Sequence, residues 1–115
     1  MVSDGTATRD AEPVVSMQVC DVFHRSVELI GRRWSGAIIS VMLKGPDRFC
    51  ELREAIPGIS DRLLAERLKE LEEHGIVERQ VVPTRPPQVT YLLTEKGRAL
   101  GPVLDRITEW GHAWE

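Results

Sequence analysis

The sequence predicts a small α+β domain, mainly α, in which four helices precede a two-stranded β ribbon and a long helix closes the chain. Three observations predict it. Apolar residues recur at helical spacing from Val22 to about His74. After Gly75 the pattern changes to two β-branched, apolar runs around a proline-rich tip, and beyond Thr94 helical spacing returns.

Residues 1–16 carry Gly5, Pro13 and scattered small polar residues without periodicity, so a flexible arm is expected there and a folded domain over 17–115. Phe23, Val27 and Ile30 define a first helix over 22–30, with Gly31 as its expected C-cap. A second helix is expected over 34–43, its stripe formed by Ala37, Ile38, Val41 and Met42, and Gly45-Pro46 stops it. Phe49, Leu52 and Ile56 face inward on a short third helix over 49–56, which Pro57-Gly58 ends. Ser60 is the expected N-cap of a fourth helix that runs to about His74 and is closed by Gly75.

The runs 76–82 and 88–93 read as antiparallel strands, and Pro83, Pro86 and Pro87 exclude a tight two-residue turn between them. Thr94 caps a last helix from Glu95 to about Trp114, with a kink or local irregularity expected at Gly101-Pro102. A short helix, a turn, an amphipathic helix and a hairpin in this order make a winged helix-turn-helix.

Composition excludes more than it proves. A chain of 115 residues, 42% hydrophobic and 29% charged, suits one soluble domain. No stretch approaches the roughly 18 apolar residues of a membrane span, and the start lacks a charged-then-apolar signal, so a cytoplasmic place and no membrane partner are expected. Cys20 and Cys50 are too few for a disulfide framework and lack zinc spacing; no metal and no cofactor are expected. His24, His74 and His112 are far apart, and there is no phosphate-binding glycine loop or HExxH pattern, so the chain does not read as an enzyme.

The formal net charge is −3, and residues 44–98 hold ten Lys/Arg against ten Asp/Glu. Phosphate neutralisation is the main source of DNA affinity, so the placement of the basic residues must supply what their total does not.

On the fourth helix Leu63, Leu64, Leu68 and Leu71 gather on one side, and Arg62, Ala65, Glu66 and Lys69 on the other. The outer face suits a DNA groove. Ser60 and the free N–H groups of the first turn suit a phosphate, Arg62 suits guanine O6/N7, Glu66 suits cytosine N4, and Lys69 suits the backbone. Arg85, between prolines at the ribbon tip, suits a minor groove, and Arg48 and Arg53 are further phosphate candidates. The same pattern also fits a solvated helix face, or a winged helix that contacts another protein. Steep salt dependence of DNA binding separates these readings.

Four segments add a resemblance: ELIGRRW (28–34), GPDRFCELREAIPGIS (45–60), RLLAERLKELEEHGIVER (62–79) and PPQVTYLLTEKGRAL (86–100). In combination they resemble the HxlR family of bacterial transcription regulators, MarR-like winged helix proteins, over about residues 20–114. The resemblance implies a homodimer with terminal dimerisation helices, double-stranded operator DNA as partner, the helix from Ser60 as reader, the 83–87 loop as wing, and repression as the usual outcome.

Trp110 and Trp114, four residues apart, and Phe23 on the first helix are the candidates for the dimer surface, with core packing as the alternative for Trp110. The resemblance also makes Cys20 a candidate sensor of oxidants or electrophiles, with a small-molecule effector or oxidant as a further partner. A helix N-terminus favours thiolate there and the adjacent Asp21 opposes it. Cys50 reads as a small, partly buried hydrophobe.

Overall fold

The computed structural model describes residues 18–115, so the arm expected over 1–16 lies outside the described residues. The described residues divide into two units, one ending at Ile30 and the other beginning at Gly31.

In the first unit, α1 (Asp21–Gly31) starts as the Cys20 carbonyl accepts from His24 N at 2.9 Å. The helix is amphipathic, yet none of its residues is buried, and Val22, Phe23 and Val27 are exposed. Gly31 is helical rather than a left-handed cap. The left-handed residue falls on Trp34 instead, at φ 77°, just before α2.

The second unit runs α2 (Ser35–Leu43), α3 (Phe49–Ala55), α4 (Asp61–Glu73), β1 (Val77–Val82), β2 (Gln88–Leu93), α5 (Glu95–Arg98) and α6 (Gly101–Trp114). Its core is built from Ile38, Ile39 and Met42 of α2, Leu52 of α3, Leu64, Leu68 and Leu71 of α4, and Ile76, Val77 and Leu93 where the strands meet the domain. Each such side chain contributes roughly 1.5–3 kcal/mol of transfer free energy. α2 differs from its expected stripe, because Ile39 is fully buried and Ala37 is exposed. This helix is apolar on nearly every side, so its periodicity carries little information about which side faces the core.

α4 ends at a Schellman motif: Gly75, at φ +73°, donates to Glu72 O, and Ile76 donates to Leu71 O. Leu71 and Ile76, the apolar pair of that motif, are both 1% exposed, which turns the chain from helix into strand at a fixed angle. β1 and β2 pair antiparallel in a register from Val77 opposite Leu93 to Val82 opposite Gln88. Only Val77 of β1 is buried, so the ribbon leaves the domain as a wing. Tyr91 N donates to Asp47 O at 2.8 Å, tying β2 to the segment before α3.

The single closing helix expected from Glu95 is two helices. α5 ends at Arg98, and α6 begins at Gly101 with Pro102 in its first turn. Pro102 has no N–H, and in a continuous helix its ring would meet the Arg98 carbonyl, so the expected kink becomes a break. Gly97 in α5 is buried because the helix lies so close to the Ile76 carbonyl that a Cβ would strike it.

Candidate nucleic-acid interface

The interface is built on α3, the turn 56–60 and α4. Gly58 takes φ +91°, which lets the chain reverse over a short span, and Ile59 N donates to Ile56 O at 3.3 Å. Ser60 caps α4, its Oγ accepting from Leu63 N at 3.1 Å. That hydroxyl satisfies one of the orphan donors of the first turn, and its own proton remains free to donate.

Leu64, Leu68 and Leu71 seat α4 on the core, and Arg62, Ala65, Glu66 and Lys69 are exposed as the spacing predicts. The Arg62 side chain is 83% exposed and lies 3.8 Å from the Glu66 carboxylate, one turn along the helix. In solvent such a pair is weak, so either side chain can leave it for a base edge at small cost. Lys69 has no ion-pair partner among the described residues.

The residues on the flanks divide. Arg53 is engaged: its Nη1 lies 3.2 Å and 3.4 Å from the two Asp61 carboxylate oxygens, which ties α3 to the first turn of α4. It also offsets the one acidic group beside the helix N-terminus, where an anion would approach. Arg48 reaches the wing, donating to Gln88 Oε1 at 2.8 Å. Arg85 is exposed at the wing tip, beside Thr84, whose Oγ1 donates to Pro86 O at 2.7 Å.

Sequence reasoning missed a group that sets the angle of α4. Arg67 is buried, donates from Nε to Arg33 O at 3.0 Å, and lies 3.5 Å from Glu70. Glu70 also takes both Nε and Nη2 of Arg32, at 2.8 Å and 3.1 Å. Arg33 stacks over the Trp34 ring at 5.1 Å, and the far edge of that ring faces Gly58, 3.6 Å from where a Cβ would stand. The 32–34 turn thus braces both the helix-turn-helix turn and α4. A signal was present: Arg67 stands three residues after Leu64 and four before Leu71, on the leucine side.

The HxlR-like helix-turn-helix family model matches residues 29–115. The chain belongs to that family.

Among its relatives, this HxlR-type chain is 51% identical over 92 residues to the HTH-type transcriptional regulator YodB of Bacillus subtilis, covering 80% of this chain and 82% of that protein. It is 42% identical over 97 residues to the HTH-type regulator YvaP of the same organism, covering 84% and 90%. The structure of the reduced form of YodB superimposes with TM-score 0.76 at 48% identity, covering 84% of this chain and 95% of that one. YodB has also been solved diamide-treated and quinone-bound, with TM-scores of 0.72 and 0.73. The redox regulator HypR in its oxidized form gives TM-score 0.75 at 41% identity, covering 84% and 98%.

The HxlR-type chain therefore has a winged helix-turn-helix fold and is a DNA-binding transcription regulator, in a family that is not enzymatic. No helix of the described residues is long and apolar enough to cross a membrane. Cys20 and Cys50 are both free and exposed, so Cys50 is not the partly buried residue its sequence context implies. The family match begins at Leu29, past Cys20, which stands at the N-cap position of α1.

Proposed function

We propose that this HxlR-type regulator is a cytoplasmic, sequence-specific repressor that binds operator DNA as a homodimer. α4 enters the major groove, and the wing tip with Arg85 lies near the minor groove. The observation that carries this reading is the outer face of α4. It is polar and exposed beyond a Ser60-capped N-terminus, and it is held from behind by three buried leucines and the Arg67 brace.

A symmetric pair presents two such faces to successive half-sites about one helical turn apart, so each half can bind weakly. Two uncovered apolar faces are available for pairing. On α1 they are Val22, Phe23 and Val27; on α6 they are Val103, Ile107, Trp110 and Trp114. The exposure of Trp110 favours the interface role over the core role for this residue.

We further propose Cys20 as the point of release. YodB solved with quinone or after diamide, and HypR solved in oxidized and reduced forms, support a thiol-based sensor in a chain this similar. At the N-cap position of α1 the thiol is exposed and meets the positive end of the helix dipole. Its sulfur can add to a quinone ring carbon, the thiol proton passing to the quinone oxygen.

The test is a mobility shift with the protein's own upstream region over a salt series. Several bound phosphates give a steep loss of affinity, whereas a salt-insensitive complex, or none, favours a protein-contacting winged helix. Arg62→Ala should abolish discrimination between that region and unrelated duplex; unchanged preference would refute the role given to Arg62. If Cys20→Ser releases DNA with diamide or quinone as readily as the native chain, the sensor assignment fails.

A further inference from the structure

The net charge of the DNA-binding unit is misleading because most of its cations are already occupied. Within Gly31–Glu115, Arg32, Arg53 and Arg67 face carboxylates, Arg62 and Arg106 lie in loose, exposed pairs with Glu66 and Glu109, and Arg48, Lys96 and Arg98 donate to protein oxygens. Arg33 covers the Trp34 ring. The cations left without a partner are Lys44, Lys69, Arg79 and Arg85.

Two of these four open onto the same cleft. Ala65, Leu68, Lys69 and Glu72 of α4 form one wall, and Arg79 and Tyr91 of the wing form the other, around about 270 Å³. Arg79 and Tyr91 are register partners across the ribbon, which places them on one face of it. Arg79 ends one of the segments that carry the family resemblance, but it was not among the candidate DNA contacts.

We propose that this cleft seats a backbone phosphate of duplex DNA, gripped by Lys69 from the helix and by Arg79 from the wing. The inference rests on the DNA-binding reading and adds the place where the backbone runs. A helix in the major groove and a wing at the neighbouring minor groove are separated on a duplex by one phosphodiester strand. The space between α4 and the ribbon must therefore straddle that strand.

The chemistry of the walls fits an anion of this kind. Arg79 offers a planar fork that can meet two phosphate oxygens, Lys69 a compact charge, and Tyr91 a neutral hydroxyl donor. Ala65 keeps the α4 wall low. At roughly 30 Å³ per water the cleft has room for a phosphate with part of its hydration shell. Glu72 opposes the anion, and with Lys69 and Arg79 it leaves the cleft a net of one positive charge. Binding there is accordingly limited, which suits a grip that positions the duplex without sequence preference.

The experiment measures the affinity of the full chain for its upstream region and for an unrelated duplex across a salt series, with Lys69→Gln, Arg79→Gln, the double variant and Glu72→Gln. All these side chains are exposed, and matching thermal melts verify that each variant is folded. Lys69→Gln and Arg79→Gln should weaken both duplexes alike and lower the slope of log K against log salt by about 0.9, the value of one phosphate. The double variant should lose no more slope than either single change, because both groups hold one phosphate. Glu72→Gln should tighten both duplexes.

Unchanged affinity and slope in Arg79→Gln overturns the grip while leaving DNA binding intact. So does a loss confined to the upstream region, which marks a base contact, or a double variant that loses twice the slope, which marks two separate phosphates. If the native chain itself shows no salt-dependent duplex binding, the DNA-binding reading falls and the grip falls with it.

Discussion

Arg67 Nε donates to the carbonyl oxygen of Arg33 at 3.0 Å, which fastens the middle of α4 to the turn before α2. A buried guanidinium on a face otherwise made of leucines is costly unless its donors and charge are met. Here the Arg33 carbonyl accepts from Nε, and Glu70, 3.5 Å from Nη1 and itself held by Arg32, offsets the charge, although Nη1 is left without a hydrogen-bond partner among the described residues. Arg67→Ala should therefore destabilise the domain by about 2–3 kcal/mol, the worth of a charged buried hydrogen bond, as read from urea unfolding. A loss below about 0.5 kcal/mol, the scatter of ordinary surface changes, would show that the brace is dispensable.

Ser60→Ala removes the oxygen that accepts from Leu63 N. The expected cost is about 1 kcal/mol by thermal or chemical unfolding, typical of a lost N-cap. Ser60→Asp keeps the acceptor and should restore the stability. It also places a carboxylate where a phosphate would approach, so it should still weaken DNA binding.

Gly97→Ala tests packing without polarity. The added Cβ meets the Ile76 carbonyl, a rigid backbone group at the start of the wing, so α5 must shift outward. Overpacking of this kind costs about 1–3 kcal/mol, visible as a lower unfolding midpoint, although alanine is the better helix former by about 1 kcal/mol at an exposed site. A stabilised variant would mean that α5 yields freely.

The α6 face gives a direct test of pairing. Ile107 and Trp110 are 54% and 60% exposed, and a charge placed there lies on the surface of an isolated chain but inside any dimer that uses this face. Ile107→Asp with Trp110→Asp should shift the mass by light scattering from dimer to monomer with the helical circular dichroism retained. A mass that is unchanged, or monomeric already in the native chain, contradicts a dimer built on this face.

Much of the fold was legible because its signals are local. Gly75 marks the change from helical to strand period, and the prolines of 83–87 bound β2 at Gln88. Ser60 and Thr94 both cap the helices that follow them. The exposed face of α4 was legible for the same reason, since leucines at helical spacing mark the side that turns inward, with Arg67 as the exception. The break between α5 and α6 was less so: Gly101-Pro102 announces a disturbance, but whether a helix bends or ends there depends on what α5 packs against, here Ile76.

The pairing of charges was not legible at all. Arg53 and Lys69 look equivalent in the sequence, yet one is tied to Asp61 across a turn and the other is free. Arg67 lies on the buried side of α4 and Arg62 on the outer side, and the Arg33 carbonyl together with Glu70 makes the first tolerable.

The sequence of helices and strands up to Thr94, the N-caps at Ser60 and Thr94 and the inward side of α4 are properties of neighbouring residues, and the chain determines them by itself. Which cations are occupied, which residue takes the left-handed conformation and which groups meet across the cleft between α4 and the wing were decided by tertiary structure. Those relations join residues far apart in sequence, and they exist only once packing of the core has brought their backbones within hydrogen-bonding distance.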